Sequence, residues 1–77
     1  MSRQTAADRR HERRLRVATL RSAVDKMAMR LAESEHSAGL RAGFGEHEKS
    51  NRHWRAARRR SSALRRLLDA FEAEVAR

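Results

Sequence analysis

The sequence predicts an all-α protein: an antiparallel two-helix hairpin with a heptad seam, which dimerises into a four-helix bundle. Proline is absent, and the three glycines all fall within Gly39–Gly45, so strong helix breakers are confined to one short segment. β-branched residues are few, which leaves little from which a sheet could be built. On both sides of the glycines, apolar residues recur at steps of three and four, the spacing of one helix face.

The 77 residues suit a single domain, 1–77. Within it we predict a basic arm over 1–14, which could itself be helical. A first helix follows over 15–37, then a glycine-rich turn over 38–45 and a second helix over 46–76.

The first helix is predicted from a heptad seam formed by Val17, Leu20, Val24, Met27 and Leu31. Further upstream, Thr5 followed by Asp8 fits a capping box at a helix start. Continued backwards, the seam falls on Arg13 and Arg10. The arm therefore has no face that demands burial.

The turn is predicted from Gly39, which suits a left-handed C-cap. Leu40 and Phe44 are expected to fold on each other and close the tip. In the second helix the steps again alternate between three and four. Its predicted seam consists of Trp54, Ala57, Ser61, Leu64, Leu68, Phe71 and Val75.

Self-association is predicted from the pairing of the two helices. A turn centred near Ala42 sets Val17 beside Leu67 and leaves Phe71 and Val75 facing the basic arm, without apolar partners. One apolar stripe per helix is also a thin core in water, so a second copy is expected to complete a four-helix bundle. The predicted oligomer or partner contacts are Trp54, Leu64, Leu68, Phe71 and Val75, with Leu40 and Phe44 at the tip.

The charge is strongly basic, at +9, and nearly all of it is arginine. Residues 41–60 hold seven basic and two acidic residues, whereas the charges of 61–77 cancel. Arg60, at the edge of the apolar stripe, is expected to pair with Asp25 across the hairpin. On a helical wheel, six arginines lie opposite the second seam: Arg52, Arg55, Arg58, Arg59, Arg65 and Arg66.

Guanidinium groups in a row favour a polyanion, because their planar fork matches phosphate. We therefore predict a nucleic-acid-binding module that contacts the backbone of DNA or RNA, with Arg9, Arg10, Arg13 and Arg14 of the arm adding contacts. No helix-turn-helix, zinc-finger or aromatic RNA-binding motif points to base readout. Three alternatives stay open: a solvated face that keeps the chain soluble, a small regulator or inhibitor that docks on a larger acidic protein, and a structural subunit of a larger assembly.

Other functions find no support in the residues. No serine has a visible base and orienter, so an enzyme is not predicted and there are no catalytic residues to name. His36, Glu46, His47 and His53 gather near the tip, but their spacing matches no metal signature, so neither a metal nor another cofactor is expected. No run of apolar residues could span a membrane, and no secretory signal is visible. A cytoplasmic setting is the expectation.

Overall fold

The computed structural model describes residues 3–77 and consists of two long helices packed against each other. Helix α1 spans Ala6–Gly43 and helix α2 spans His47–Val75. The prediction of an all-α hairpin is confirmed, and residues 3–77 contain no strand. The molecule measures 62 × 21 × 14 Å, so it is a rod only one helix thick in its narrowest direction. Within the described chain, neither helix has a stretch long and apolar enough to cross a membrane.

The capping box at the start of α1 is present as predicted. The N–H of Asp8 donates to Thr5 Oγ1, and the N–H of Thr5 donates to Asp8 Oδ2, both at 3.1 Å. Two N–H groups that a helix start leaves without intrahelical partners are satisfied in this way. The part of the basic arm from Ala6 onward is therefore the first section of α1, which runs unbroken for 38 residues.

The turn lies further along the chain than the sequence predicts. Helix α1 continues through Gly39 to Gly43, whereas the prediction ended it at Ser37 with Gly39 as the C-cap. A glycine inside a helix costs only about 1 kcal/mol relative to alanine. Continuing the helix brings Ala38, which is fully buried, against α2. This packing favours the longer helix.

Gly45 provides the reversal of chain direction. Its φ of +75° lies in the left-handed region, which glycine adopts without the steric penalty of a Cβ atom. The N–H groups of Phe44 and Gly45 bond back to the carbonyls of Leu40 and Ala42 at 3.1 and 3.0 Å. The centre of the turn is therefore near Gly45 and not near Ala42.

This displacement changes which residues of the two helices lie side by side. Moving the turn by three residues shifts the pairing along α2 by about six. The prediction set Val17 beside Leu67, but its neighbour Arg16 lies against Glu74, with 2.9 Å between Nε and Oε1. Phe71 is half-buried and no longer faces the basic arm. The predicted position of Phe71 opposite the basic arm is wrong, because Arg13 lies beside Val75 instead.

Small side chains occupy most of the buried positions of the described chain. Ala38 and Ala57 are the only apolar residues of the described chain that are buried, and no large side chain is fully buried. Ser34 and Ser50 are buried too. Ser50 Oγ donates to the carbonyl of Ala38 at 2.9 Å. Because a serine side chain is short, this bond holds the first turns of α2 close to the backbone of α1.

The face of α2 that meets α1 is rotated relative to the prediction. Trp54, Ser61 and Val75 were assigned to the seam but are exposed. The rotation has a polar cause, since α1 offers partners such as Arg16 and Ser34 to groups on the adjoining edge of α2. The residues that immediately precede these three are half-buried or buried instead: His53, Arg60 and Glu74.

Arg60 links the two helices, although not through the predicted partner. Its Nη1 donates to the carbonyl of Arg30 at 2.8 Å and also to Ser34 Oγ. The predicted pairing with Asp25 is wrong, because the shifted turn places Arg60 closer to the tip end of α1. A charged side chain thus takes a position in the contact that an apolar residue would be expected to fill.

Glu74 is the buried carboxylate of the hairpin and lies among arginines. Arg16 Nε is 2.9 Å from one carboxylate oxygen, and Arg77 Nε is 3.9 Å from the other. The hydrogen bond from Arg16 holds the pKa of Glu74 below its ordinary value, although burial acts in the opposite direction.

We expect the hairpin to lose stability in acid as Glu74 becomes protonated. Because its pKa is lower in the folded chain, its contribution is complete above the unfolded value of 4.5 and is lost as the pH falls through the folded value. Thermal unfolding between neutral and acidic pH measures this loss. Below that unfolded pKa, Glu74→Gln should give a shallower fall of Tm with pH. Glu46, whose pKa is lowered chiefly by Lys49, titrates in both proteins. Equal slopes would contradict the prediction.

Candidate nucleic-acid interface

The six predicted arginines of α2 all lie on its solvent side. Every one of them is exposed, and they fall between the positions that contact α1, such as Ala57, Arg60 and Leu64. At a rise of 1.5 Å per residue, they cover about 20 Å of helix. We call this surface the arginine face, formed by Arg52, Arg55, Arg58, Arg59, Arg65 and Arg66.

Little acidic charge compensates the arginine face. Arg65 Nε lies 3.5 Å from Asp69 Oδ1, and both side chains are largely exposed. Within residues 3–77, no other arginine of the face forms an ion pair. A single exposed pair contributes at most about 1 kcal/mol. The face therefore presents nearly its whole charge to the solvent.

The spacing of these arginines opposes helix formation slightly. Arg52, Arg55 and Arg59 follow one another at steps of three and four, so their guanidinium groups are neighbours on the helix surface. Like charges at that spacing destabilise a helix by about 0.2–0.5 kcal/mol per pair. A bound anion would remove this repulsion. An anionic ligand bound along this row would therefore stabilise helix α2.

The arginines of the arm do not join the arginine face. Arg13 Nη2 donates to the carbonyl of Val75 at 3.0 Å, so the end of α2 lies beside this part of α1. Residues of α1 before Arg13 extend beyond that end. Asp69, Glu72 and Glu74 lie along α2 between the two basic regions. The protein therefore has two separate basic surfaces.

Within the arm, the arginines differ in what they contact. Arg13 binds the carbonyl of Val75, the last residue of α2, where a positive charge also suits the helix dipole. Arg9 and Arg10 make long bonds to carbonyls of their own helix start, at 3.5 and 3.3 Å. Arg14 is exposed. Arg13 therefore has a structural role, whereas Arg9, Arg10 and Arg14 are accessible to a ligand.

An open groove of about 480 Å³ follows this part of α1. This groove was not predicted from the sequence, because Arg21 was assigned to no site. Arg10, Arg14 and Arg21 are separated by four and seven residues, which places them along one side of a helix, and this spacing could have revealed it. Four arginines and two apolar residues line the groove: Arg10, Arg13, Arg14, Arg21, Val17 and Ala18.

No known protein family, curated protein or solved structure matches this chain. The functional assignment therefore depends on the geometry and charge of the two basic surfaces. Among residues 3–77, no three histidine, aspartate or glutamate side chains come together as metal ligands would.

The tip of the hairpin carries exposed apolar side chains. Leu40 is 48% exposed and Phe44 is 71% exposed. The prediction that these two side chains cover each other and close the tip is therefore wrong. They line a shallow groove of about 470 Å³ together with Glu35 and His36. Trp54 is also exposed rather than part of the core. These side chains are accessible to a partner.

Proposed function

We propose that this protein binds DNA or RNA through contacts between the arginine face and backbone phosphates. The observation that supports it is the row of six exposed guanidinium groups, which extends about 20 Å and contains one weak ion pair. Each guanidinium can donate two parallel hydrogen bonds to a phosphate. Such contacts give affinity and orientation but carry no base specificity.

The arm is proposed as a second set of phosphate contacts. Arg9 and Arg10 lie beyond the end of α2 and Arg14 lies beside that end, and all three are separated from the arginine face by the acidic end of α2. A nucleic acid that touched both surfaces would have to follow the rod along much of its 62 Å length. The arm would then add phosphate contacts, while the arginine face would remain the main binding site.

Binding to random-sequence DNA and RNA across a salt series tests the proposal. With about five phosphate contacts, the logarithm of the affinity should fall against the logarithm of the salt concentration with a slope of about −4.5 for duplex DNA. Polyglutamate serves as a competitor that offers carboxylates in place of phosphates. Absence of binding at low salt would contradict the proposal, and equal competition by polyglutamate would favour an acidic protein partner.

The second candidate is a small regulator or inhibitor that docks on a larger acidic protein. The specific observation in its favour is the pair of exposed apolar residues at the tip, Leu40 and Phe44, beside a shallow groove. An acidic partner could contact the arginine face while one of its apolar side chains occupied the groove. In this hypothesis both surfaces act together, whereas the nucleic-acid hypothesis needs only the arginines.

We also propose that the helices follow a heptad repeat and that the chain forms a homodimer. The support is the thinness of the core, in which only two alanines are buried among the apolar residues of the described chain. Two helices with so little buried apolar surface gain little from the hydrophobic effect. A second hairpin would add a second layer, which is how helical domains ordinarily complete a core.

A further inference from the structure

The hairpin exposes more surface than a compact chain of its mass. Its accessible surface is 6341 Å², whereas a compact monomer of 8.9 kDa has about 4,800 Å². The excess of roughly 1,500 Å² is larger than the 800 Å² or so that each partner contributes to a standard interface. The rod therefore has enough surplus surface for a stable contact with another molecule.

Part of this surplus is a largely apolar stripe on α2 that α1 leaves wholly or partly uncovered. Trp54 is 43% exposed and Val75 is 52% exposed. Ser61 is exposed and Leu68 is half-buried. Residues at intervals of seven lie along one side of a helix. We call Trp54, Ser61, Leu68 and Val75 the apolar stripe.

Charge indicates which side of α2 a second copy of the chain can use. None of its four residues is charged, and the arginine face lies next to it on the same helix. An acidic partner would be drawn to the arginine face. A second copy carries the same charge of +9, so contact between two arginine faces is repelled, and the uncharged stripe is the side of α2 on which two copies can meet.

The apolar stripe is also complementary to itself. If a second copy lies antiparallel, Trp54 of one chain faces Val75 of the other, and Ser61 faces Leu68. A larger side chain then meets a smaller one at each step, which close packing favours. Two-fold symmetry makes every such contact occur twice, as in an isologous dimer.

We infer that the apolar stripe is the interface of an antiparallel homodimer of this chain. The inference rests on the self-association proposed above and does not depend on nucleic-acid binding. It also divides the contact residues predicted from the sequence. Leu64 and Phe71 serve the contact within the hairpin, whereas Trp54, Leu68 and Val75 serve the contact between copies.

Light scattering of the full chain without nucleic acid, at micromolar concentration, tests the inference. We expect the wild-type protein to have twice the mass of one 8.9 kDa chain. Trp54→Lys combined with Val75→Lys should raise the dimer dissociation constant at least about 30-fold, since an aromatic anchor is replaced by a charge. The matched control is Leu15→Lys combined with Met29→Lys. It adds the same charge at apolar side chains of α1 that are 54% and 64% exposed, and it should remain dimeric.

A measurement on the wild-type chain needs no substitution. As the concentration rises and the mass doubles, the fluorescence of Trp54 should move to shorter wavelength, because the second copy covers the indole. A dimer that formed without this shift would overturn the assignment of the stripe.

The outcomes separate the proposals from one another. A monomeric wild type would overturn both the dimer and the stripe. A stripe variant as dimeric as its control, or a control as monomeric as the stripe variant, would overturn the stripe alone. Circular dichroism should show equal helix content in both variants, because the substituted side chains are exposed. Failure to bind nucleic acid would leave all these masses unchanged.

Discussion

Changing Arg52, Arg55 and Arg59 together to glutamine should lower the affinity for nucleic acid on the order of a hundredfold at 0.1 M salt. The three residues form the most regular row of the arginine face, and each is expected to release about one counterion when it contacts a phosphate. For duplex DNA the salt slope should therefore become shallower by about 2.7. The helix content should not change, because all three side chains are exposed and make no ion pair in the described structure.

The control for this experiment changes the charge by the same amount elsewhere. Lys26, Arg30 and Arg41 are exposed on α1 outside both basic surfaces, and changing all three to glutamine also removes three positive charges. If binding depends on the arginine face, this control should keep most of its affinity. Equal losses in the two triple variants would mean that only the net charge matters, and the assignment of the face would be wrong.

Replacing Ala38 by leucine should have the largest effect on stability. Ala38 is fully buried, and its carbonyl accepts the hydrogen bond from Ser50 Oγ at 2.9 Å. A larger side chain there must push the two helices apart and break that bond. Overpacking of this kind typically costs about 1–3 kcal/mol. In a domain of this size, each kcal/mol corresponds to about 4–8 °C in Tm.

Thermal unfolding followed by circular dichroism measures this effect. Ala73→Leu is the matched control, because it makes the same substitution at an exposed position of α2. We expect the control to unfold within a few degrees of the wild type. If the two variants had the same Tm, the close contact around Ala38 would not contribute to the stability of the hairpin.

Local sequence signals were sufficient for part of this structure. The two helices follow from good helix formers and from the absence of breakers, and the capping box follows from Thr5 and Asp8 alone. The arginine face needs only the periodicity of a helix and the side opposite the contact. None of these features depends on how α1 and α2 meet, so each could be predicted without knowledge of the packing.

The features that depend on packing could not be predicted in the same way. Three glycines lie close together, and which of them takes the left-handed conformation depends on the burial of Ala38 against α2. An error of three residues in the turn becomes one of about six in the pairing. The hydrophobic pattern also favoured Trp54 over the polar residues that α2 turns toward α1. Arg60 and Glu74 enter the contact because Ser34 and Arg16 satisfy them, and only the correct register reveals those partners.

The single turn at Gly45 also determines the order in which the hairpin assembles. The bond between Ser50 and Ala38 closes a loop of 12 residues, whereas the pair of Arg16 and Glu74 closes one of 58. The entropy lost on closing a loop grows with its length. Folding should therefore start near the tip and close toward the termini. The arm end forms last and opens first, so the accessible arginines of α1 sit on the most readily opened part of the rod.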